Sequence, residues 1–278
     1  MLYRYISCLL NLGVDWFGSD TTDVYQTSLD ITDVPTDPVL YICGLSFSAI
    51  RVNGQPISDF ILASAPWAKS YIYNGFSAVS LSPYLVANTK NTITVTLGDD
   101  YRDAVRFKDI NPPPGVNHAD DHSKIMRAQV RLSATTQANL TWNTAQGPVM
   151  QSSVYDGEEY DGSVDINTLV WSPAPVLDAD HTPAGIMVPW AAPHIQVSRR
   201  TAPINITTPQ PNLFVVDFGS NLAGVIKIKN LTKCAKGEIL VFKHAEIMQH
   251  AGLPDITPDP TMIYQDNLCG AKATDTYK

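Results

Sequence analysis

Acidic residues are concentrated in one short segment, Tyr155-Asp-Gly-Glu-Glu-Tyr-Asp161. Hydrolysis of a glycosidic bond ordinarily needs two carboxyl groups on opposite sides of that bond, one protonated and one ionised. In an extended segment, Glu159 and Asp161 would share one face about 6–7 Å apart, a spacing that an acid–base pair can use. The sequence shows no apolar pocket that would raise one carboxyl pKa. We therefore predict no catalytic residue in this segment.

The same segment offers groups that could hold a ligand without changing it. Neighbouring carboxylates on a loop are often solvated or bound to a cation such as Ca2+. The tyrosine rings are flat and amphipathic, and the C–H faces of a sugar can stack on such rings. A structural turn is the first interpretation, and a carbohydrate- or cation-binding site is the second. The candidate binding residues are Tyr155, Asp156, Glu158, Glu159, Tyr160 and Asp161.

A second group with potential chemistry is His244-Ala-Glu246, with His250 nearby. In a strand, the side chains of His244 and Glu246 lie on one face. Two ligands do not make a zinc site, and His250 is only loosely placed as a third. No metal site is firmly predicted, and Ca2+ at the acidic segment stays the only cofactor considered. The sequence contains no serine nucleophile elbow, phosphate-binding glycine loop or dinucleotide fingerprint.

The elements that position these groups are predicted to be short strands. In Met126-Arg-Ala-Gln-Val-Arg-Leu132, apolar residues alternate with polar ones, which predicts one face in a core and the other, with Arg127, Gln129 and Arg131, in water. Asn53-Gly54 tolerates the positive φ angles of a tight hairpin turn. Further alternating runs are Thr92–Leu97, Val225–Lys229 and Glu238–Phe242. Helix signals are nearly absent, so the pattern predicts an all-β chain of antiparallel sandwiches or jelly rolls.

Composition limits the classes of partner. The chain has 278 residues, of which 44% are apolar and 17% charged, enough to fill real cores. A net charge of −8 with no basic run makes a nucleic-acid partner improbable. No stretch approaches the ~20 apolar residues of a membrane span. The sequons at Asn139, Asn205 and Asn230 favour a secreted, extracellular protein.

Prolines indicate where one domain gives way to the next. Pro173, Pro175, Pro183 and Pro189 make a strand improbable, because proline removes a ladder donor. We therefore predict domains at residues 22–180 and 186–278. The stretch Pro112-Pro-Pro-Gly115 is the alternative boundary, interpreted here as a loop inside the first domain.

Several segments, in order, resemble the N-terminal region of bacterial-type α-L-rhamnosidases. They are Leu40-Tyr-Ile-Cys-Gly-Leu, Val52-Asn-Gly-Gln-Pro-Ile, Tyr71-Ile-Tyr-Asn-Gly-Phe, Asn91-Thr-Ile-Thr-Val-Thr-Leu-Gly-Asp, Gly147-Pro-Val with Tyr155-Asp-Gly-Glu-Glu-Tyr-Asp, Val216-Asp-Phe-Gly-Ser-Asn-Leu-Ala-Gly, Lys243-His-Ala-Glu-Ile and Asn267-Leu-Cys-Gly-Ala-Lys-Ala-Thr-Asp-Thr-Tyr. The resemblance covers about residues 25–278 and is most specific near its end. It implies two consecutive antiparallel β-sandwich domains, a carbohydrate-binding-like jelly roll followed by a concanavalin-like sandwich.

In the family that the chain resembles, the catalytic acid and base lie in a helical domain that follows the Ala-Thr-Asp-Thr-Tyr segment. The resemblance therefore implies a non-catalytic accessory region of a glycoside hydrolase. Its expected partners are a rhamnose-containing glycan and a separate or downstream catalytic domain, with no nucleic acid and no membrane. A free-standing, lectin-like carbohydrate-binding protein is the alternative, and a structural remnant without a ligand is the third hypothesis.

Overall fold

The computed structural model of the chain describes residues 14–19, 21–45, 47–57, 73–98, 124–183, 185–190, 192–193, 195–229, 234–235, 237–250, 252–253 and 257–278. Pro112–Gly115 and the sequon at Asn230 lie outside these residues. The chain divides into two compact units. The first unit runs to Val154 and resumes over Val164–Gln196, and the second comprises Tyr155–Ser163 and Val197–Lys278. The boundaries predicted at 22–180 and 186–278 stay a prediction.

The described elements are strands and short 3-10 turns. The strands, in chain order, are β1 (Phe17–Ser19), β2 (Val24–Ile31), β3 (Val39–Gly44), β4 (Phe47–Val52), β5 (Gln55–Pro56), β6 (Tyr73–Ser80), β7 (Thr89–Gly98), β8 (Lys124–Arg131), β9 (Asn143–Ala145), β10 (Val149–Ser153), β11 (Gly157–Tyr160), β12 (Ser172–Pro173), β13 (Ile186–Pro189), β14 (Asn205–Gln210), β15 (Leu213–Asp217), β16 (Leu240–Lys243), β17 (Ile247–Met248), β18 (Ile263–Tyr264) and β19 (Thr274–Tyr277). The 3-10 turns are Ile166–Thr168 and Asp266–Leu268. The all-β prediction is confirmed. Within the described ranges, no helix has the length and apolar character to cross a membrane.

The first unit is a two-layer sandwich. Among its described residues, a five-stranded sheet in the order β1-β8-β3-β6-β13 faces a six-stranded sheet in the order β12-β9-β2-β7-β4-β5. In β7 the apolar residues that alternate along the strand, Ile93, Val95 and Leu97, are fully buried. They pack in one cluster with Leu40 of β3 and Val130 of β8, which belong to the opposite sheet. Period-two alternation therefore places the core between the layers, as the sequence predicted.

The Asn53-Gly54 hairpin is confirmed. Both residues have positive φ angles, 52° and 77°, and β4 pairs with β5 across the turn. Positive φ at both central positions twists the turn to match the flanking strands. The side chain of Asn53 also donates to Asn91 Oδ1 at 2.8 Å, which ties the turn to β7.

The face of β8 that carries Arg127, Gln129 and Arg131 is more buried than the sequence predicted. Gln129 was predicted to face water, yet it is buried and donates to the carbonyl O of Ala138 at 3.1 Å. Arg127 lies 5.8 Å from the ring centre of Trp16, and Arg131 lies 5.8 Å from that of Tyr41. A second apolar cluster covers this face. Alternation marks which residues share a face, but it does not reveal what a distant segment lays over the polar one.

Two strand pairs depart from the antiparallel pattern. β13 pairs with β6 in parallel, and β11 pairs with β19 in parallel. Parallel neighbours cannot be joined by a hairpin and need a longer connection. In both pairs, a strand from a distant part of the chain is added to an existing strand.

The second unit contains β11, β19 and β16 side by side, the hairpin β14–β15 and the antiparallel pair β17–β18. The prediction for Glu238–Phe242 is largely confirmed by β16. The strand predicted at Val225–Lys229 is wrong, because these residues lie outside every described strand and Val225 is exposed. Alternation favours an extended conformation, but a strand also requires a neighbouring edge to pair with.

Candidate functional site

The acidic segment lies in the second unit, where most of it forms β11. β11 runs parallel to β19, with Glu159 opposite Thr276 and Tyr160 opposite Tyr277. The last strand of the chain thus has a neighbour that comes from the middle of the sequence. The six candidate residues are therefore brought together on a paired strand, the turn before it and the residue directly after it, not on a free loop.

Backbone hydrogen bonds fix this segment at both ends. The N–H groups of Ala273 and Thr274 donate to the carbonyl oxygens of Tyr155 and Asp156, at 3.0 and 2.9 Å. At the other end, the N–H of Lys278 donates to the carbonyl of Tyr160 at 3.0 Å. These bonds support the structural interpretation that the sequence placed first.

Two aspartates extend the connection through their side chains. Asp156 Oδ1 accepts the N–H of Lys272 at 3.0 Å. Asp275 Oδ1 accepts the N–H of Glu158 at 2.8 Å, while its Oδ2 lies 2.8 Å from Nε2 of His244. One carboxylate thus links β11, β19 and the end of β16. A carboxylate that accepts a backbone N–H holds that strand in place more firmly than a neutral group would.

The His244-Ala-Glu246 pattern does not form the predicted strand. His244 follows the last residue of β16, and Glu246 precedes β17. His244 instead pairs with Asp275, a residue that the sequence analysis did not select. Throughout the part of the chain that the structure describes, no group of three or more His, Cys, Asp or Glu side chains is arranged to hold a metal ion.

Asp161 closes the segment with a small turn. Its Oδ1 accepts from the N–H of Ser163 at 2.9 Å and from the Ser163 hydroxyl at 2.6 Å, and Lys278 Nζ lies 3.9 Å from Oδ2. The hydrogen bonds from Ser163, followed by the charge of Lys278, hold the pKa of this carboxyl below its usual value. A lowered pKa keeps the group ionised, which is the opposite of what a general acid requires.

Two substitutions can separate the contributions of Ser163 and Lys278 to the lowered pKa of Asp161. Ser163→Ala should raise the pKa of Asp161 towards its ordinary value, and Lys278→Ala should raise it less, because the hydroxyl hydrogen bond that the first change removes outweighs the distant charge. NMR titration of the Asp161 side-chain carbonyl measures both shifts. Since the folded pKa is the lower one, the stabilising contribution is present above the unfolded pKa and is lost as pH falls through the folded value. A larger shift in Lys278→Ala than in Ser163→Ala would contradict this assignment.

The aromatic rings give the segment its flat surface. Tyr160 stacks on Tyr277 with ring centres 5.5 Å apart and planes 7° from parallel. Both rings are partly exposed, as is Tyr155, and the side chains of Glu158 and Glu159 point into solvent. This arrangement can present one side of a tyrosine stack beside carboxylates that accept hydrogen bonds from hydroxyl groups. It forms an open surface and encloses no buried pair of carboxyl groups.

A flat aromatic ring can serve as a sugar platform only where it is exposed. Trp142 is buried in the core of the first unit, and Trp67 and Tyr71 lie outside the described residues. Tyr277, Asp275 and Ser163 belong to the same surface as the acidic segment and were missed. Only Ser163 had a local signal, since a serine two residues after an aspartate commonly closes a turn.

Comparison with known proteins identifies two adjacent family matches. Residues 34–208 match the model described as the α-L-rhamnosidase N-terminal domain, and residues 207–278 match that of the bacterial α-L-rhamnosidase concanavalin-like domain. An α-L-rhamnosidase from Streptomyces avermitilis is 28% identical over 165 residues, which are 55% of this chain and 15% of that protein.

Solved structures show the same fold. The α-L-rhamnosidase from Dictyoglumus thermophilum aligns with a TM-score of 0.69 at 19% identity, covering 96% of this chain and 31% of that one. The S. avermitilis enzyme in complex with L-rhamnose aligns with a TM-score of 0.61 at 15% identity, covering 93% and 25%. The chain therefore spans between 15% and 31% of the length of these proteins.

Proposed function

The chain belongs to the α-L-rhamnosidase family, and from this premise we propose that it is a non-catalytic accessory region of an α-L-rhamnosidase-type glycoside hydrolase. The observation that carries the proposal is the pair of adjacent matches over residues 34–278, both to β domains of such enzymes. The proposed domains are residues 22–180, carbohydrate-binding-like, and residues 186–278, concanavalin-like. Hydrolysis would depend on groups supplied by another domain.

The carboxylates of the acidic segment support the non-catalytic role. A glycosidase needs one carboxyl group with a raised pKa, which burial normally provides. Here Glu158 and Glu159 are exposed, and the pKa of Asp161 is lowered. Asp156 and Asp275 accept backbone N–H groups and so hold strands together.

We further propose that this surface contacts a rhamnose-containing glycan. Tyr155 and Tyr160 would contribute ring faces, and Glu158, which lies on the same face of β11 as Tyr160, would accept hydrogen bonds from sugar hydroxyls. Glu159 lies on the other face of the strand, and Asp156 and Asp161 would fix the segment. A carbohydrate is favoured over Ca2+ because two of the aspartates already accept hydrogen bonds from the protein, as the distances above indicate. In the S. avermitilis relative, the bound sugar is L-rhamnose.

A binding titration tests the glycan proposal. L-rhamnose should raise the Tm of the chain, because a ligand that binds only the native state stabilises it by about 2.7 kcal/mol at 100 times its Kd. Tyr160→Ala and Glu158→Gln, two changes on one face of β11, should each reduce this shift. Glu246→Gln, an exposed change outside the segment, should leave it unchanged. A shift caused by Ca2+ and not by L-rhamnose would reassign the surface to a cation.

An activity assay on the same preparation tests the non-catalytic role. The purified chain should release no phenol from an aryl α-L-rhamnoside. Turnover that persists through repeated purification, and that Glu159→Gln abolishes, would overturn the proposal.

A further inference from the structure

The stretch of chain between the two compact units is exposed. The first unit ends at Gln196 and the second resumes at Val197. The structure describes all of residues 196–203, and each of them is exposed and lies outside any helix, strand or turn. The backbone is fixed again at Ile204, whose N–H donates to the carbonyl of Asp217 at 2.8 Å. We call residues 196–203 the connecting segment. Proteases bind their substrates as extended chains, so exposed and irregular segments are where folded proteins are cut first.

The connecting segment carries a pair of basic residues, Arg199-Arg200. Nowhere else in the sequence are two Lys or Arg residues adjacent. Both arginines are exposed, and a guanidinium group can bind a carboxylate through two parallel hydrogen bonds. An endoprotease with acidic groups in two neighbouring subsites would therefore bind this pair and discriminate against a single basic residue such as Lys227.

We infer that the peptide bond between Arg200 and Thr201 is a processing site for an endoprotease that requires two adjacent basic residues. Water adds across this bond, which leaves a carboxylate on Arg200 and a free amino group on Thr201. The products are residues 1–200 and residues 201–278.

Cleavage at this bond would not release the second unit. Tyr155–Ser163 belongs to that unit, yet it stays in the upstream product, so the unit contains parts of both products. The N–H of Gly162 donates to the carbonyl of Lys278 at 2.8 Å, and the N–H of Lys278 donates to the carbonyl of Tyr160 at 3.0 Å. The side chain of Asp275 adds its bond to the backbone of β11. The processed protein should therefore be two chains held together by β11 of one and β19 of the other.

Digestion of the native 278-residue chain tests the site. The probe is a subtilisin-type endoprotease specific for Arg-Arg and Lys-Arg pairs. It should give two pieces on a reducing, denaturing gel, and Edman sequencing of the smaller piece should read Thr-Ala-Pro-Ile. Arg199→Gln and Arg200→Gln should each slow the cleavage by about 100-fold or more. Lys227→Gln, an exposed change outside the pair, should leave the rate unchanged.

Two results of this digestion would overturn the inference. One is a native chain that stays intact while a synthetic peptide of residues 195–205 is cut, because the fold would then protect the pair. The other is cleavage that Arg199→Gln leaves unchanged, since the cut would then lie at a different bond.

Size-exclusion chromatography of the digested chain tests the association of the two pieces. They should elute together in native buffer, at the position of the uncut chain, and separate in urea. Asp275→Ala removes the acceptor of the Glu158 N–H and should weaken the association by about tenfold. Glu246→Gln, an exposed change outside β11 and β19, should not. Before digestion, both variants should elute as the parent does, because each is then one chain. Parent pieces that separate in native buffer would overturn the predicted two-chain product.

Discussion

Gly157→Ala should detach the acidic segment from the last strand and cost the second unit roughly 3 kcal/mol or more of stability. Gly157 has a φ of +103°, which an L side chain rarely adopts. A Cβ atom there would also overlap the carbonyl group of Thr274. Backbone atoms on both sides are fixed by hydrogen bonds, so neither can move away without breaking the pairing of β11 with β19.

Hydrogen exchange measured by mass spectrometry gives the local readout for this variant. The amides of Ala273 and Thr274, which donate to Tyr155 and Asp156, should exchange much faster in Gly157→Ala. Gly237→Ala is the control, since Gly237 also has a positive φ but has open space around the position of a Cβ atom. If both variants speed up the exchange of the Ala273 and Thr274 amides equally, backbone strain alone accounts for the effect, and the close contact with the Thr274 carbonyl is unimportant.

Leu40→Ala should destabilise the first unit by about 3–5 kcal/mol. Leu40 lies on β3 at the centre of its sheet and is fully buried in the cluster between the two layers. Removing its side chain loses the transfer free energy of the deleted atoms and leaves a cavity, because strands paired on both sides cannot collapse into the space. Urea unfolding monitored by tryptophan fluorescence measures the change.

Val170→Ala is the matched control for the core prediction. Val170 belongs to the same unit, but its side chain is 90% exposed. Its truncation should change the unfolding free energy by less than about 0.5 kcal/mol. A comparable loss in the two variants would mean that the first unit is not stabilised by the cluster between its layers.

Local patterns in the sequence were sufficient to predict β7, β8, most of β16 and the main core. They did not predict β12 and β13, because the prolines that argued against a strand, Pro173 and Pro189, lie inside these two strands. Ile93, Val95 and Leu97 show the alternation of a half-buried strand, and Asn53-Gly54 specifies a turn by its own conformational preferences. Each of these signals involves residues that are close together in the chain. They depend on few contacts elsewhere, so reading them requires no knowledge of what packs nearby.

The contacts around the candidate site could not be predicted in this way. The bond between Glu158 and Asp275 joins residues 117 positions apart, and neither residue type specifies the other. The same holds for the stacking of Tyr160 on Tyr277. The acidic composition of the segment was visible in the sequence, but its role as a neighbour of β19 depends on which distant strand edge is available. Val225–Lys229 shows the converse, an alternating run that pairs with none of the strands that the structure describes.

The position of Tyr155–Ser163 also affects the order of events during synthesis. The segment leaves the ribosome long before β19 exists, and at about 5–20 residues per second its partner follows on the order of ten seconds later. During that interval its strand edge has no partner in β19, and such edges can recruit other nascent chains. Glu158 and Glu159 carry charge at this edge, where like-charge repulsion opposes that association. Translation must pass Tyr277 before this pairing of the second unit can form.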